Sequence, residues 1–212
     1  MSRQNNRKVG IMGGTFNPIH IGHLLLAENA YSVFGLDEVL FIPSGCSYMK
    51  EQTEVLEAKV RLEMTRLAVE DNPHFSVSTI EIDRPGYTYT YETLEQLSDA
   101  HPDTEYYFLM GADSLFSMES WRCPERIFQK AVVLAAIRDD CDRSHLQKQA
   151  DYLSDKYHGS VCLIPSGNVE ISSSDIRKRR REGRSIRYLV PEPVRHYIEK
   201  NHLYHAAGVL PT

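Results

Sequence analysis

The sequence predicts an α/β fold in which helices flank a doubly wound parallel sheet. Short apolar runs alternate with longer amphipathic stretches along the chain, which is the pattern of βα units. Two of these runs, Tyr106–Met110 and Ala131–Ile137, are apolar enough to be central strands that are buried on both faces. With 212 residues, the chain is long enough for one domain with a sizeable core and short for two.

The individual elements follow from local patterns. Helices are predicted where apolar residues recur at a period near 3.6, and strands where they alternate or form short continuous runs. The predicted elements are, in order, strand Lys8–Met12, helix His20–Phe34, strand Glu38–Ile42, helix Val55–Glu70, strand Phe75–Ile82, helix Thr90–Ala100, strands Tyr106–Met110 and Ala131–Ile137, helix Arg143–Tyr157, strand Val161–Ile164, and helices Ser174–Glu182 and Pro191–Asn201. We therefore expect one Rossmann-like domain over residues 1–212, with a C-terminal helical segment and its ligand at the carboxyl ends of the strands.

The composition argues against several classes of protein. The formal net charge of −5 disfavours a nucleic-acid or anionic-membrane binder, so phosphate binding would require a local site. No apolar signal core follows the basic segment Met1–Lys8, and the apolar stretch Leu24–Ala27 is too short to span a bilayer. A cytoplasmic protein is expected. The cysteines are widely spaced, which indicates neither a zinc site nor a disulfide framework: Cys46, Cys123, Cys141 and Cys162.

The turn after the first predicted strand, Gly13–His23, is the most informative segment. Its two leading glycines allow backbone N–H groups to approach a phosphate, and Thr15 adds a hydroxyl donor. The helix that follows presents its free amides and its dipole to an anion. His20 and His23 are three residues apart, so both imidazoles should lie on one face near the start of that helix, where they could stabilise charge during phosphoryl chemistry. Gly22 between them would let a flat group such as adenine approach the helix.

A second segment of interest, Ile171–Arg177, lies near the end of the chain. A run of serines after a strand and before an apolar-periodic helix predicts an N-cap cluster. Arg177 is one turn into that helix, on the same side as Ser173 and Ser174. Hydroxyls, free amides and one guanidinium would suit the β- and γ-phosphates of a nucleotide. We expect Arg177 to point inward, and the other arginines of the run that follows to be largely exposed.

Both segments resemble signatures of the nucleotidyltransferase superfamily. Residues 15–23 are similar to its [ST]-F-[DN]-P-x-H-x-G-H signature, and Ile171–Arg177 is similar to the I-S-x-[ST]-x-I-R motif that accompanies it. The resemblance implies that His20, His23 and Arg177 are catalytic. It also implies an ATP-binding set that consists of Gly13, Gly14, Thr15, Phe16, His20, Gly22, His23, Ser173, Ser174, Ile176 and Arg177. Class I aminoacyl-tRNA synthetases share the His20–His23 sequence, but this chain is too short for one and has no K-M-S-K-S.

The middle of the chain resembles bacterial nicotinate-nucleotide adenylyltransferases in particular. Residues 88–94 resemble their [ST]-Y-T-x-x-T-L segment, and Gly111–Leu115 with Trp121 resembles G-x-D-S-L…W. The resemblance implies a mononucleotide site formed by Lys50, Tyr89, Thr90, Asp113, Trp121 and Arg122. From the residues alone, Trp121 could equally be a core or a surface residue, and Thr90 and Asp113 could be helix caps. The loop at Ser47–Lys50 departs from the P-P-H-K of the family, and Asn17 stands where aspartate is commoner.

This resemblance implies transfer of AMP from ATP to nicotinate mononucleotide, with Mg²⁺ accompanying ATP and no dedicated protein ligands for the metal. The expected partners are these two substrates, without nucleic acid or membrane, and a homo-oligomer is left open. A sister enzyme acting on pantetheine phosphate or nicotinamide mononucleotide is the alternative, and a non-catalytic nucleotide sensor is a further one. His20 is expected to be partly exposed in the cleft. A pocket offering only hydrogen-bond donors, from Thr90 and backbone amides near Trp121, is expected to favour nicotinate over nicotinamide.

Overall fold

The computed structural model of the protein describes residues 6–47, 55–137, 143–165 and 170–205. Within these ranges the strands are β1 (Arg7–Gly14), β2 (Glu38–Pro43), β3 (Cys46–Ser47), β4 (Phe75–Val77), β5 (Tyr87–Thr88), β6 (Thr104–Met110), β7 (Ala131–Ile137) and β8 (Val161–Pro165). The helices are α1 (Ile21–Phe34), α2 (Ala58–Val69), α3 (Thr90–Ala100), α4 (Ala112–Ser117), α5 (Pro124–Lys130), α6 (Arg143–Tyr157), α7 (Ser173–Arg181) and α8 (Glu192–Lys200).

The central sheet contains six parallel strands in the order β4-β2-β1-β6-β7-β8. The chain adds β2 and β4 on one side of β1, and then crosses to the other side to add β6, β7 and β8. The order of the strands therefore reverses between β1 and β6. In open α/β sheets, ligands bind at such a reversal, beyond the carboxyl ends of the strands. Here that position is occupied by the loops after Gly14 and Met110.

Two apolar cores lie on opposite faces of this sheet, because successive residues of a strand point to opposite sides. On β6, Phe108 packs into one core and Leu109 into the other. Helices α3 to α6 cover the first face with Leu94, Leu115, Ile127 and Leu146. Helices α1, α2, α7 and α8 cover the second with Ala27, Met64, Ile176 and Val194. The doubly wound parallel architecture predicted from the sequence is confirmed, as are its C-terminal helices.

The predicted strand Phe75–Ile82 is the largest error among the elements, because β4 ends at Val77. The chain then turns, and the turn is closed by the Asp83 N–H donating to the Thr79 carbonyl and by the Thr79 hydroxyl donating to the Asp83 carboxylate at 2.6 Å. The sequence reading also missed α4, α5 and the small ribbon in which β3 pairs with β5. Pro124 at the start of α5 was a usable signal, since proline is favoured in the first turn of a helix. Among the described helices, none is long and apolar enough to cross a membrane.

Candidate active site

The loop after β1 reverses sharply at Gly14 and Phe16. Phe16 has a φ of 48°, is 2% exposed, and folds back so that its ring lies against Phe41 and His23. A Cβ on Gly14 would lie 2.7 Å from the Phe16 ring. Only glycine at position 14 leaves room for this ring, so the loop depends on Gly14 for its shape. Phe16 therefore supports the loop from within the core.

The two histidines of the loop lie side by side at the start of α1. Their rings stack with centroids 3.6 Å apart, and the backbone N–H of His20 donates to Nδ1 of His23 at 3.2 Å. That bond makes Nδ1 of His23 an acceptor, so the neutral ring carries its proton on Nε2. A Cβ on Gly22 would lie 3.2 Å from Nδ1 of His20. The space beside Gly22, where we expected adenine to approach the helix, is therefore bordered by the His20 ring.

The expectation that His20 is partly exposed is wrong, because the residue is only 7% exposed. Burial lowers the pKa of His20 to about 4. Its Nδ1 is buried, and no hydrogen-bond partner for it is present in the described part of the chain. At neutral pH the ring is therefore uncharged and has one N–H to donate. A neutral imidazole can still stabilise developing charge by hydrogen bonding, as the donors of an oxyanion hole do.

The serine run near the C-terminus docks directly onto this first loop. Ser172 caps α7, since its hydroxyl accepts from the backbone N–H of Asp175 at 3.1 Å. The hydroxyl of Ser173 donates to the Pro18 carbonyl at 2.8 Å, and Nη1 of Arg177 donates to the Asn17 carbonyl at 3.0 Å. The two sequence motifs, although far apart in the chain, are thus in direct contact with each other.

The N-termini of two helices make this junction electrostatically favourable for an anion. Helices α1 and α7 both begin beside the Asn17–Pro18 segment, and the N-terminus of a helix carries partial positive charge and unpaired amides. Ser174 is exposed, with its hydroxyl 3.0 Å from that of Ser172. Ile176 is fully buried in the core, so any contact with ATP would have to come from its backbone.

The arginine run of α7 is less exposed than expected. Lys178 and Arg181 are exposed, but Arg179 and Arg180 are half-buried. Arg179 pairs with Asp175 at 2.7 Å, and Arg180 lies 2.6 Å from a ring nitrogen of His205. The expectation that these arginines are largely exposed is wrong for the two in the middle, because the stems of long side chains pack against neighbouring segments.

A cavity of about 380 Å³ opens beside the first loop, at the carboxyl ends of β1 and β6. Its walls include Gly13, Gly14 and Thr15 together with Thr90 and Trp121. Candidate residues for both substrates therefore meet in one cavity. A concave site of this size, in which polar and apolar side chains are mixed, can hold a small ligand.

The candidate mononucleotide residues are only partly brought together. Trp121 is half-buried, packs edge-on against Phe108 at 6.0 Å, and has a buried indole N–H without a partner in the described residues. The guanidinium of Arg122 lies over the ring of Tyr89 at 5.5 Å. Thr90 is the first residue of α3 and Tyr89 is its N-cap, so the alternative role of Thr90 as a cap is excluded.

The last two candidates for the mononucleotide site are Asp113 and Lys50. Asp113 is exposed in the first turn of α4, and it is Ser114 and Ser117 of that helix that line the cavity. Lys50 lies outside the described residues. In residues 6–47, 55–137, 143–165 and 170–205, no three histidines, cysteines, aspartates or glutamates converge as the ligands of a metal ion would.

Three residues near the cavity were missed by the sequence reading. Glu81 lines the cavity and accepts a hydrogen bond from the Thr93 hydroxyl at 2.9 Å, and burial raises the pKa of its carboxyl. The expectation of a pocket that offers only donors is therefore wrong.

Tyr204 donates to Oδ1 of Asn17 at 2.9 Å, and burial raises the pKa of its hydroxyl. Arg61, which is 2% exposed, donates to the carbonyl of Thr15. The only signal for Arg61 was its spacing from Thr65 and Ala68 along one helical stripe.

The chain is similar to known proteins over most of its length. The cytidylyltransferase-like family matches residues 11–179. A protein of Lachnoclostridium phytofermentans, named probable nicotinate-nucleotide adenylyltransferase, is 49% identical over 198 residues, which cover 93% of this chain and 99% of that protein. A protein of the same name from Exiguobacterium sibiricum is 43% identical over 206 residues, with 93% and 98% covered.

Solved structures share the fold. The Plasmodium falciparum nicotinic acid mononucleotide adenylyltransferase complexed with NaAD superposes with a TM-score of 0.77 at 20% identity, covering 93% of this chain and 97% of that one. The same enzyme complexed with APC superposes with a TM-score of 0.75, with the same coverage and identity.

Proposed function

Since this chain belongs to the nicotinate-nucleotide adenylyltransferase family, within the cytidylyltransferase-like proteins, we propose that it transfers AMP from ATP to nicotinate mononucleotide. The products are nicotinate adenine dinucleotide and pyrophosphate. The observation that carries the proposal is the docking of Ser173 and Arg177 onto Asn17–Pro18, because it joins the two motifs beside a cavity of suitable size. We also propose that residues 1–212 form one nucleotidyltransferase domain in the cytoplasm, with neither nucleic acid nor a membrane as a partner.

The ATP side of the site combines the first loop with the start of α7. Gly13, Gly14 and Thr15 line the cavity, and the backbone amides of such a loop can bind phosphate oxygens. The planar guanidinium of Arg177 is held beside the same loop by the Asn17 carbonyl, and it would hold the departing pyrophosphate together with Ser174. The N–H groups of His20 and His23 would stabilise charge on the α-phosphate.

Thr90 and Trp121 also line the cavity and are proposed to form the mononucleotide side of the site. Trp121 offers an indole face for stacking on the pyridinium ring, and Thr90 offers a hydroxyl. Tyr89, Arg122 and Asp113 are proposed to help hold the mononucleotide around these two. Lys50 is proposed for its phosphate.

The reaction needs no general base, because the nucleophile is already an anion. A phosphate oxygen of the mononucleotide attacks the α-phosphorus of ATP, a new P–O bond forms, and the bond to the β-phosphate oxygen breaks in line with it. The protein contributes alignment of the two substrates and stabilisation of charge. Mg²⁺ would be held by phosphate oxygens of ATP, since hard cations prefer oxygen ligands, and it would offset the negative charge of the triphosphate.

Nicotinamide mononucleotide is the second candidate substrate, and Glu81 is the observation that favours it. Glu81 lines the cavity, and its carboxyl could accept a hydrogen bond from an amide NH₂. However, its raised pKa favours the uncharged form more than usual, which lessens repulsion of a nicotinate carboxylate.

Pyrophosphate release tests these alternatives directly. It should be measured with ATP and, in turn, nicotinate mononucleotide, nicotinamide mononucleotide and pantetheine phosphate, at equal concentrations. The highest kcat/KM is expected with nicotinate mononucleotide. Release that is fastest with pantetheine phosphate would show that the proposed substrate is wrong, and no release with any acceptor would favour a nucleotide sensor.

A further inference from the structure

Arg61 is a buried cation at the centre of three loops. It lies in the first turn of α2, is 2% exposed, and donates to four carbonyl oxygens. The acceptors are Leu56 at 2.9 Å, Thr15 at 2.7 Å, Ser44 at 2.7 Å and Gly45 at 3.2 Å. Carbonyl oxygens solvate the guanidinium without neutralising it. A buried charge of this kind is costly unless it is well hydrogen-bonded. Moving one of the loops away would leave N–H groups of the guanidinium unpaired, so these contacts restrain the loops.

One of these loops belongs to the ATP side of the site. The Thr15 carbonyl is in the loop after β1, beside Gly13 and Gly14. A planar peptide unit points its C=O and its N–H in opposite directions, so fixing the carbonyl of Thr15 also fixes the amide of Phe16. Arg61 therefore controls the orientation of the backbone in the loop that is proposed to bind the transferring phosphate.

Another of the loops leads to the mononucleotide side. Ser44 and Gly45 precede β3, and β3 pairs with β5 through Cys46 with Tyr87 and Ser47 with Thr88. Tyr89 and Thr90 follow β5 directly. The Gly45 backbone is also packed tightly against Glu81, since a Cβ on Gly45 would lie 2.3 Å from the Glu81 carbonyl oxygen. A shift of the Gly45 loop would thus be passed on to the segment that carries Thr90.

We propose that Arg61 is a positioning residue that sets the relative placement of the ATP loop and the mononucleotide segment. This inference rests on the proposed function for the identity of the two substrates. Lysine cannot replace arginine here, because one ammonium has three donors on a single nitrogen, whereas the planar fork reaches carbonyls in three loops. In-line transfer depends on alignment, and a displacement of about 1 Å can lower the rate about 10²-fold.

The test compares Arg61→Lys with Arg66→Lys, a matched control on the exposed side of the same helix. The measurements are kcat, the dissociation constant of each substrate bound alone, and Tm. For Arg61→Lys we expect kcat to fall about 10²-fold, while each dissociation constant changes by only a few fold; Arg66→Lys should behave like the wild type. A general structural role would not separate kcat from binding in this way. Unchanged kcat, equal loss of kcat and both affinities, or failure of Arg61→Lys to fold would overturn the proposal.

Amide hydrogen exchange without substrates separates this inference from the proposed function. Exchange of residues 15–16 and 44–46 should be faster in Arg61→Lys than in Arg66→Lys, whichever reaction the protein catalyses. Unchanged exchange would overturn the role of Arg61 even in an active enzyme. Faster exchange in the variant, together with a wild type that does not use nicotinate mononucleotide, would support Arg61 as the organiser of these loops and reject only the proposed substrate.

Discussion

Acidification should destabilise this protein through His20, a residue that is only 7% exposed. Burial lowers its pKa from 6.5 to about 4 in the folded state. Between these two values the unfolded chain binds a proton that the folded chain does not. The contribution of His20 to stability is therefore complete above pH 6.5, is lost progressively as the pH falls from about 6.5 to about 4, and changes no further below that.

The size of this effect follows from the shift in pKa. A change from 6.5 to about 4 is about 2.5 units, and each unit corresponds to about 1.4 kcal/mol. By pH 4 most of that difference is realised, so the free energy of unfolding should fall by about 3 kcal/mol through this residue alone. Because domains are typically stable by only about 5–15 kcal/mol, the loss is large enough to measure by urea denaturation.

The assay compares urea unfolding of the wild type and His20→Asn at pH 7, 5.5 and 4. Asparagine is a good N-cap residue and does not titrate, so the variant should keep α1 and lose only the contribution of His20 to the pH dependence. His101→Asn, at an exposed histidine, is the control and should follow the wild type. The carboxylates titrate in all three proteins, and their effects cancel in the differences. If the wild type and His20→Asn lose the same free energy between pH 7 and pH 4, burial does not keep His20 neutral and the reasoning is refuted.

Three further predictions concern the two sides of the site. Arg177→Lys should raise the KM for ATP and leave that for the mononucleotide nearly unchanged, because a single ammonium replaces a planar fork; Arg179→Lys, whose guanidinium pairs with an aspartate, is the control, and an equal effect there would contradict the choice of Arg177. Tyr204→Phe should lower the free energy of unfolding by about 1–2 kcal/mol, since Oδ1 of Asn17 loses a donor; unchanged urea midpoints would show that this bond contributes nothing. Trp121→Ala should raise KM for both nicotinate and nicotinamide mononucleotides through lost stacking, and a KM unchanged for both would remove Trp121 from the mononucleotide site.

Local patterns in the sequence were sufficient for much of the fold. Thr90–Ala100, Ala131–Ile137 and Arg143–Tyr157 have the bounds that were predicted, because periodicity and apolar runs record which face of each element is buried. The pattern failed at residues 78–82, where an alternating sequence forms a turn closed by Thr79 and Asp83. It also failed at α4, which has only six residues and therefore little periodicity to detect.

The first loop and the start of α7 could also be located from the sequence, because each is a local structure with its own signals. Glycines after a strand allow a close reversal of the backbone, and serines before a helix cap it. Those requirements involve residues within a few positions of one another. The spacing of His20 and His23 likewise predicted that their rings would lie together, and the rings are stacked.

Only the tertiary structure decided how deeply these groups are buried and what they contact. The docking of Arg177 on Asn17, the contacts of Arg61 with the Thr15 and Ser44 carbonyls and the neutral state of His20 all depend on segments that are distant in the chain. Burial and the protonation that follows from it are set by the atoms that surround a side chain after packing, and neighbours in sequence supply few of them. The sequence by itself therefore determined which chemical groups the site contains, whereas the packing of distant loops determined their charge and their alignment.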